Sequence, residues 1–491
     1  MSTPPAESGP ALRLHSTRGH WVVAAAVLGS GVAFLDGTVV NAALPAIARD
    51  LHAGLADLQW VLTAYLLTLG ALLVVGGSLG DLFGRRRIFV IGLIGFGITS
   101  ILSGAAPSIE TLIAARALQG VAAALLVPGS LAIISSSFRR EDRGAAIGAW
   151  SGLAGVTTAL GPFLGGWLID SVSWRLVFLI NPPIVVITVI LTYRHIPETR
   201  DMSASRHVDV LGGTVLAVGL AGVVYALIEG PANGWSPVTV LLGVVGVVAL
   251  GSFFIVERRS PSPMVPLEIF RSRQFSGANA VTFVVYGALG AMTFLLVVHL
   301  QTDMGYSALA AGASLMPFTV LMLAFSSRMG ALAQRIGPRL PMTIGPIVVG
   351  IGMVLLGRTQ PGTSYWTTTF PAVIVLGVGL TITVAPLTAA VLAAVADRHA
   401  GIGSAINNAV SRIAGLLAVA VLPAAAGLAG AGGSLDLVHG FARAMNIAGV
   451  LAVLGGAIAW FTIRKAAPVE TVPSATPIAC QDPGLRRVAA A

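Results

Sequence analysis

Fourteen apolar runs, each closed by charged residues, by Gly and Pro, or by a polar cluster, divide the sequence. They lie near residues 21–44, 57–79, 88–106, 111–134, 144–168, 175–193, 210–229, 237–256, 275–299, 308–328, 340–357, 368–394, 400–424 and 440–463. About 20 apolar residues carry a helix across a bilayer core, so the pattern predicts an all-α polytopic membrane protein with 14 transmembrane helices. Helices in lipid are apolar all round, so periodicity does not say which face would line a lumen.

Two glycine cassettes with basic ends interrupt the pattern, GSLGDLFGRRR from Gly77 to Arg87 and GALAQRIGPRL from Gly330 to Leu340, 253 residues apart. Gly77, Leu79, Asp81, Gly84 and Arg86 match Gly330, Leu332, Gln334, Gly337 and Arg339 in offset. Such internal repetition marks the parallel halves of a secondary transporter. The spacing exceeds what six helices of about 20 to 25 residues and short loops need, and the excess amounts to about two helices. The expected organisation is a tail over 1–20, a six-helix bundle over 21–195, a linker with two inserted helices over 196–260, a second six-helix bundle over 261–465, and a tail over 466–491. Both tails are rich in Pro, Ser and Ala and are expected to be disordered.

Composition agrees: 55% of the residues are hydrophobic and 10% are charged, against about 25% charged in soluble domains. The net charge of +9 comes from arginines scattered through short loops, with no aromatic-basic surface for a nucleic acid. The single cysteine, Cys480, offers no disulfide framework, metal cluster or thiol chemistry. No nucleotide-binding loop or nucleophile motif is present, so neither an enzyme nor an ATP-driven pump is expected, and no cofactor. Arg13 and Arg18 before an apolar run, with Ala46 and Ala48 behind it, imitate a secretory signal. The run is nonetheless long enough to span and contains Asp36, which a disposable segment has no reason to carry.

Arginine placement sets sidedness. Arg85, Arg86 and Arg87, then Arg139, Arg140 and Arg143, and the arginines at 194–206, 258–273, 335–339 and 398 fall in loops of one side, with both termini. The other side holds Arg49, Arg175, Arg358 and Arg443. The arginine-rich side is expected to be cytoplasmic, in a cytoplasmic (inner) membrane.

Asp36 is the leading functional candidate, because a carboxylate near mid-membrane must be paired, protonated or facing water. Burial pushes a carboxyl pKa upward, which would suit a group that exchanges protons. The alternative is a structural Asp satisfied by a helix N-terminus or an arginine. Arg116 is placed about 9 Å inside the outer end of the fourth helix and Asp36 about 12 Å inside that of the first, so pairing is open to them. Arg116, Gln119, Gly120 and Ala123 share one helical face. Snorkelling of Arg116 to the interface is the competing reading.

On the fifth helix Gly148, Gly152, Gly155, Ala159, Pro162 and Gly166 form one continuous face of small residues. It predicts close helix approach, and Pro162 suggests a hinge. Asp81, beside Arg85, Arg86 and Arg87, could pair with a guanidinium or a helix N-terminus and so bias one conformation; topogenic arginines explain the basic run but not the acid. Tyr65, Tyr286 and Met316 are candidate cavity residues, with ordinary packing as the alternative. Asn407, Asn408 and Arg412 are polar at depth in the thirteenth helix, where interhelical hydrogen bonding is the default.

Four segments together carry a resemblance: LDGTVVNAALP (Leu35–Pro45), GSLGDLFGRRR, RALQGVAAA (Arg116–Ala124) and GVTTALGPFLGG (Gly155–Gly166). The chain resembles the fourteen-helix drug:proton antiporters of the major facilitator superfamily. DVLGGTVLAVGLAGVVYALIEG (Asp209–Gly230) and PLEIFRSRQF (Pro266–Phe275) are similar to that branch's seventh helix and its entry to the ninth. The resemblance implies the major facilitator fold, two six-helix bundles plus two inserted helices. It implies proton coupling at Asp36 and Arg116, and conformational gating through Gly77, Asp81, Gly84, Arg85, Arg86, Gly155, Gly161, Pro162, Gly165 and Gly166. Thr157 stands where the antiporter motif often has glycine. The tenth helix lacks the acid that some multidrug members carry there.

The expected activity is proton-coupled efflux of hydrophobic, cationic compounds. Asp36, Tyr65, Gln119, Tyr286, Met316 and Asn407 would form the substrate set. Expected partners are a small hydrophobic molecule, protons and membrane lipid, with no nucleic acid, in a monomer. Export of an endogenous antibiotic, lipid or metabolite by the same machinery is the alternative, and a metabolite uptake carrier a more distant one. At the cassette offset Asp36 matches Leu289 and Asp81 matches Gln334, so the chemistry is expected in the first half.

Overall fold

The computed structural model describes residues 12–200, 208–261, 263–395, 400–428 and 437–464. The expected tails, apart from residues 12–20, lie outside these residues, as do Arg206, Arg398, Cys480 and part of the linker. Among the described residues, 14 helices are long and apolar enough to cross a membrane, each on one of the expected runs.

The first half comprises α1 (Thr17–Leu51), α2 (Leu55–Phe83), α3 (Arg85–Gly104), α4 (Ile109–Ser137), α5 (Arg140–Ser171), and a sixth span broken into α6 (Leu176–Leu179) and α7 (Asn181–His195). The break precedes Pro182 and Pro183, which lack the N–H that a continuous helix would use and sit at the start of α7. Local chemistry sets the other starts: Ser16 and Ser108 accept hydrogen bonds from backbone N–H groups in the first turns of α1 and α4. The inserted pair is α8 (Val210–Asn233) and α9 (Pro237–Arg259).

The second half comprises α10 (Arg273–Thr302), a tenth span broken into α11 (Ala308–Ala313) and α12 (Met316–Ile336), α13 (Arg339–Leu356), α14 (Phe370–Ala393) entered through a π turn at Tyr365–Thr369, α15 (Ala400–Ala425) and α16 (Leu437–Thr462). Helix α1 packs on α5, and α2 and α3 on α4; in the second half α10 packs on α15 and α16, and α13 on α14 and α16.

Helix α8 lies against both halves. Its Leu220, Val224 and Ile228 pack with Leu67 and Ala71 of α2 and with Leu416 and Ala420 of α15. Trp60 Nε1 donates to Glu229 Oε1 at 2.8 Å, fixing the C-terminal end of α8 to α2. Helix α9 packs on α8 and turns Leu241, Val244, Val247 and Val248 outward, as a lipid-facing helix must.

On the side away from the arginines, the halves are sealed. Asp170, at the end of α5, accepts from the Ala308 and Leu309 N–H groups that open α11, at 3.1 and 2.9 Å. Gln301 Nε2 of α10 donates to the Ala42 carbonyl of α1 at 3.0 Å, and Gln59 Nε2 of α2 to the Val419 carbonyl of α15 at 2.6 Å. On the arginine-rich side α5 and α12 part. Gly144, Gly148 and Gly152 of α5 have no atom of another helix within 4 Å of where a Cβ would stand, and of the α12 residues only Ala333 is buried. The molecule is open toward its arginine-rich side.

Candidate functional site

Five helical segments converge on one buried polar cluster in the first half. Asp36 of α1 and Arg116 of α4 are 0% and 1% exposed and pair at 2.5 Å. The same Arg116 Nη1 donates to Gln119 Oε1 at 2.6 Å, and its Nε donates to the Val61 carbonyl at 3.2 Å. Gln119 Nε2 donates to Asp36 Oδ1 at 3.0 Å and to Ser100 Oγ of α3 at 2.8 Å. Asn181 Nδ2, at the start of α7, donates to Asp36 Oδ1 and Ser100 Oγ, both at 3.2 Å. The guanidinium of Arg116 lies over the Tyr65 ring at 4.3 Å and near the Phe178 ring at 5.7 Å. A buried charge pair persists only when its remaining hydrogen-bonding capacity is met, and here four donors and acceptors surround it.

Snorkelling of Arg116 is thus replaced by pairing. The depths also differ from the sequence estimate, because α1 continues through Pro45 to Leu51. Asp36 is therefore about 22 Å, rather than 12 Å, from the end of its helix, at about 1.5 Å per residue. The extension is held by Asp50, which accepts from Trp174 Nε1 at 2.9 Å and from Arg175 Nη1 at 2.5 Å.

Tyr65 and Gln119 are fully buried in this cluster, with Tyr65 donating its hydroxyl to the Ala33 carbonyl at 3.2 Å. In this conformation they are parts of the charge site and not walls of a cavity. Asn407 donates to Asn279 Oδ1 at 3.1 Å and Thr282 Oγ1 at 2.7 Å, both on α10, so hydrogen bonding between helices is its observed role. Tyr286 and Met316 are half-buried on α10 and at the start of α12. They do not join Asp36.

Ser100 and Asn181 were not singled out by the sequence. Ser100 sits in an unbroken apolar run and carries no local signal. Asn181 did carry one: an amide directly before two prolines in the middle of a span is where a freed backbone and a polar side chain meet.

The first cassette forms a tight corner. Gly84 has φ +113°, a conformation that disfavours other residues, and it joins α2 to α3. Asp81 pairs with Arg85 at 2.7 Å within the same corner. The N-terminus of α3 is capped instead by Glu198, whose carboxylate accepts from the Arg86 and Arg87 N–H groups at 3.1 and 3.2 Å. Arg86 Nη1 adds a bond to the Ile196 carbonyl at 3.1 Å. Glu198, the first acid after the sixth span, is a partner that sequence reasoning missed. Gly77 stands 3.5 Å from Pro128 of α4 at its ideal Cβ.

The small-residue face of α5 does not act as one face. A Cβ at Gly161 or Gly165 would meet Thr38 Oγ1 at 2.0 Å or Val39 Cγ2 at 2.4 Å, both on α1, and one at Gly166 would meet the Ala308 carbonyl of α11 at 2.5 Å. Gly148 and Gly152 have open space, and Gly155 only Leu323 Cδ2 at 3.9 Å. The packed stretch is the sealed side and the free stretch is the opening. Pro162 leaves the Thr158 carbonyl without its helical donor, and Thr38 Oγ1 of α1 comes within 3.3 Å of it.

The sequence profile of the Major Facilitator Superfamily matches residues 26–419. The puromycin resistance protein of Streptomyces alboniger is 35% identical, covering 96% of this chain and 97% of its own length. The tetracenomycin C resistance and export protein of Streptomyces glaucescens is 30% identical, covering 94% of each. The methylenomycin A resistance protein of Streptomyces coelicolor is 32% identical over 92% of this chain and 94% of that protein. Among solved structures, a D-xylose-proton symporter superposes with TM-score 0.64 at 14% identity, over 91% of this chain and 98% of the other. A peptide transporter in complex with sulfate gives 0.66 at 15%, over 91% and 96%; at such identity the likeness concerns the fold alone. Profile and full-length relatives agree with the geometry: this chain belongs to the Major Facilitator Superfamily, as a transporter of its drug-resistance and export type and not an enzyme.

Proposed function

We propose that this protein exports hydrophobic compounds across the cytoplasmic membrane in exchange for protons, with Asp36 as the proton carrier and Arg116 as its counter-ion. The observation that carries the reading is the buried Asp36–Arg116 pair in a molecule open on one side and sealed on the other. Protonating Asp36 would remove the negative partner of a fully buried guanidinium, which is expensive in a low-dielectric interior. The chain relieves that cost by rearranging, so that proton binding and the switch between openings are linked. Gln119 and Asn181 bring amides that can present either hydrogen or oxygen to the carboxyl group, and Asn181 Oδ1 has no hydrogen-bond partner.

The arginine-rich side, with both termini, is assigned to the cytoplasm on the positive-inside bias. The opening then faces the cytoplasm, where a substrate would enter. Gly77, Asp81, Gly84, Arg85 and Arg86 form the corner that holds α2 to α3 during the switch. Gly155, Gly161, Pro162, Gly165 and Gly166 form the part of α5 that separates from or closes on its neighbours. Tyr286, Met316 and Asn407 remain the proposed contacts for substrate, and Tyr65 and Gln119 act through the proton site. Both halves and the proton site lie in one chain, so a monomer suffices.

The test is ethidium efflux from a pump-deficient bacterial host. Wild-type protein is expected to expel ethidium in a way that an uncoupler abolishes, and Asp36→Asn at equal membrane abundance to lose at least tenfold in rate. Undiminished, uncoupler-sensitive efflux by the variant would overturn the assignment. Export of an endogenous antibiotic is the second reading, supported by relatives named for resistance to antibiotics or for their export. A biosynthetic gene cluster beside the gene would favour it, and a repressor of the efflux type would favour drug export.

A further inference from the structure

One arginine at mid-membrane is not accounted for by the proton site. Arg412 stands 12 residues from Ala400 and 13 from Ala425 on α15, which puts it about 18 Å from either end of the helix. None of the ion pairs among the described residues includes it, and no hydrogen bond to its guanidinium is formed by them. The residue is half-buried. One side of the guanidinium is occupied by the Phe34 ring of α1 at 5.8 Å. Its Cβ would be 3.6 Å from a Cβ at Gly70 of α2.

The group therefore sits where the two halves meet, on α15 against α1 and α2, with the Phe34 ring beside it. Its neighbour Asn407 follows the interhelical reading, with Nδ2 donating to Asn279 and Thr282 of α10. Arg412 does not. The first half brings one carboxylate, Asp36, and one guanidinium, Arg116, to mid-membrane, and α15 adds the guanidinium of Arg412. The carboxylate is consumed by Arg116, Gln119 and Asn181. What remains is one unmatched positive charge at a depth where charge is costly unless it is used. A guanidinium presents a planar fork that suits a carboxylate or phenolate oxygen, and aromatic surfaces suit the rest of a hydrophobic guest.

We propose that Arg412 is a substrate-binding residue that takes an acidic oxygen of the guest, so that this exporter carries lipophilic organic anions. The inference rests on the export reading above and adds an acidic guest to the cationic ones expected from the sequence. The Asp36–Arg116 pair and Arg412 are separate sites on opposite halves, so the guest does not need to displace the proton carrier's partner.

Fluorescein and rhodamine 123 test this, since both are three-ring xanthenes, the first with an acidic carboxyl and phenol and the second an esterified cation. Initial efflux of each is measured in the pump-deficient host for wild type, Arg412→Gln and Arg412→Lys at matched membrane abundance. Fluorescein export by wild type is expected to fall at least tenfold in Arg412→Gln and less in Arg412→Lys, which keeps the charge but loses the fork. Rhodamine 123 export by Arg412→Gln is expected to equal or exceed that of wild type. Wild-type export of rhodamine 123 without fluorescein would overturn the inference and leave the export reading standing. So would an equal loss of both dyes in Arg412→Gln, which marks a structural arginine. Export of neither dye by wild type overturns both.

Discussion

Asp36 and Arg116 illustrate why a buried pair behaves differently from its members. Removing one partner of a buried ion pair costs about 3 to 5 kcal/mol, because the survivor stays buried and unpaired. Arg116→Gln is therefore expected to lower the melting temperature of the detergent-solubilised protein sharply. The double variant Asp36→Asn with Arg116→Gln should recover most of the loss, since two neutral amides can join Gln119, Ser100 and Asn181 in one hydrogen-bonded cluster. Transport should be absent in both. Recovery of stability without recovery of transport separates the structural worth of the pair from its role in coupling; a double variant no more stable than Arg116→Gln would contradict this account. In the sequence the pairing was open as two opposite charges inside apolar runs, although the depth estimated for Asp36 was wrong because α1 runs on to Leu51, whereas Ser100 was not legible, since a serine inside an apolar helix satisfies itself on its own backbone as often as it serves another helix.

At the scale of elements, α5 is two different surfaces end to end. Beyond Gly161 it is in backbone contact with α1 and α11, and before Gly155 it borders open space. Enlarging a glycine should therefore have opposite consequences by position. Gly312 of α11 faces the Pro162 carbonyl at 2.2 Å from its ideal Cβ, so Gly312→Leu should wedge the sealed side apart. Gly152→Leu should leave that seal intact. The check is maleimide labelling from outside of a cysteine placed at Gln301, in a chain with Cys480 replaced by serine: labelling should rise several-fold in Gly312→Leu and stay at the wild-type level in Gly152→Leu. A sequence cannot reveal this division. The spacing of glycines permits close approach along the whole face, and the two stretches carry the same small residues although only one of them is packed here.

For the whole molecule, the nature of the guest decides which part of the proton-motive force does the work. Exchange of one proton for one monovalent cation moves no net charge. Exchange for a monovalent anion moves two charges in the favourable direction, about 4.6 kcal/mol per 100 mV, beside about 1.4 kcal/mol per unit of pH gradient. Fluorescein efflux should therefore slow strongly when valinomycin and potassium collapse the potential at constant pH gradient, while rhodamine 123 efflux should change little; equal responses of the two dyes would contradict the charge count. The architecture behind this was readable because fourteen apolar runs, a repeated cassette and a one-sided distribution of arginines are each imposed by the bilayer. The docking of α8 across α2 and α15 was not, because a helix between two protein surfaces and lipid is apolar in every direction and its sequence does not say which way it faces.

The contact between Thr38 and the Thr158 carbonyl has a mechanical meaning. Pro162 removes one helical hydrogen bond of α5 at the point where Thr38 of α1 steps in, and Thr38 is two residues from Asp36. Its hydroxyl is shared with the Leu35 carbonyl of its own helix at 3.0 Å, so it can let go of α5 without being left unbonded. On the proposed mechanism, a tilt of the C-terminal part of α5 would be geared in this way to a small rotation of α1, and the carboxylate would ride on that rotation toward or away from its arginine. The flexible joint and the charged group are thus two ends of one short lever, and the lever has a release.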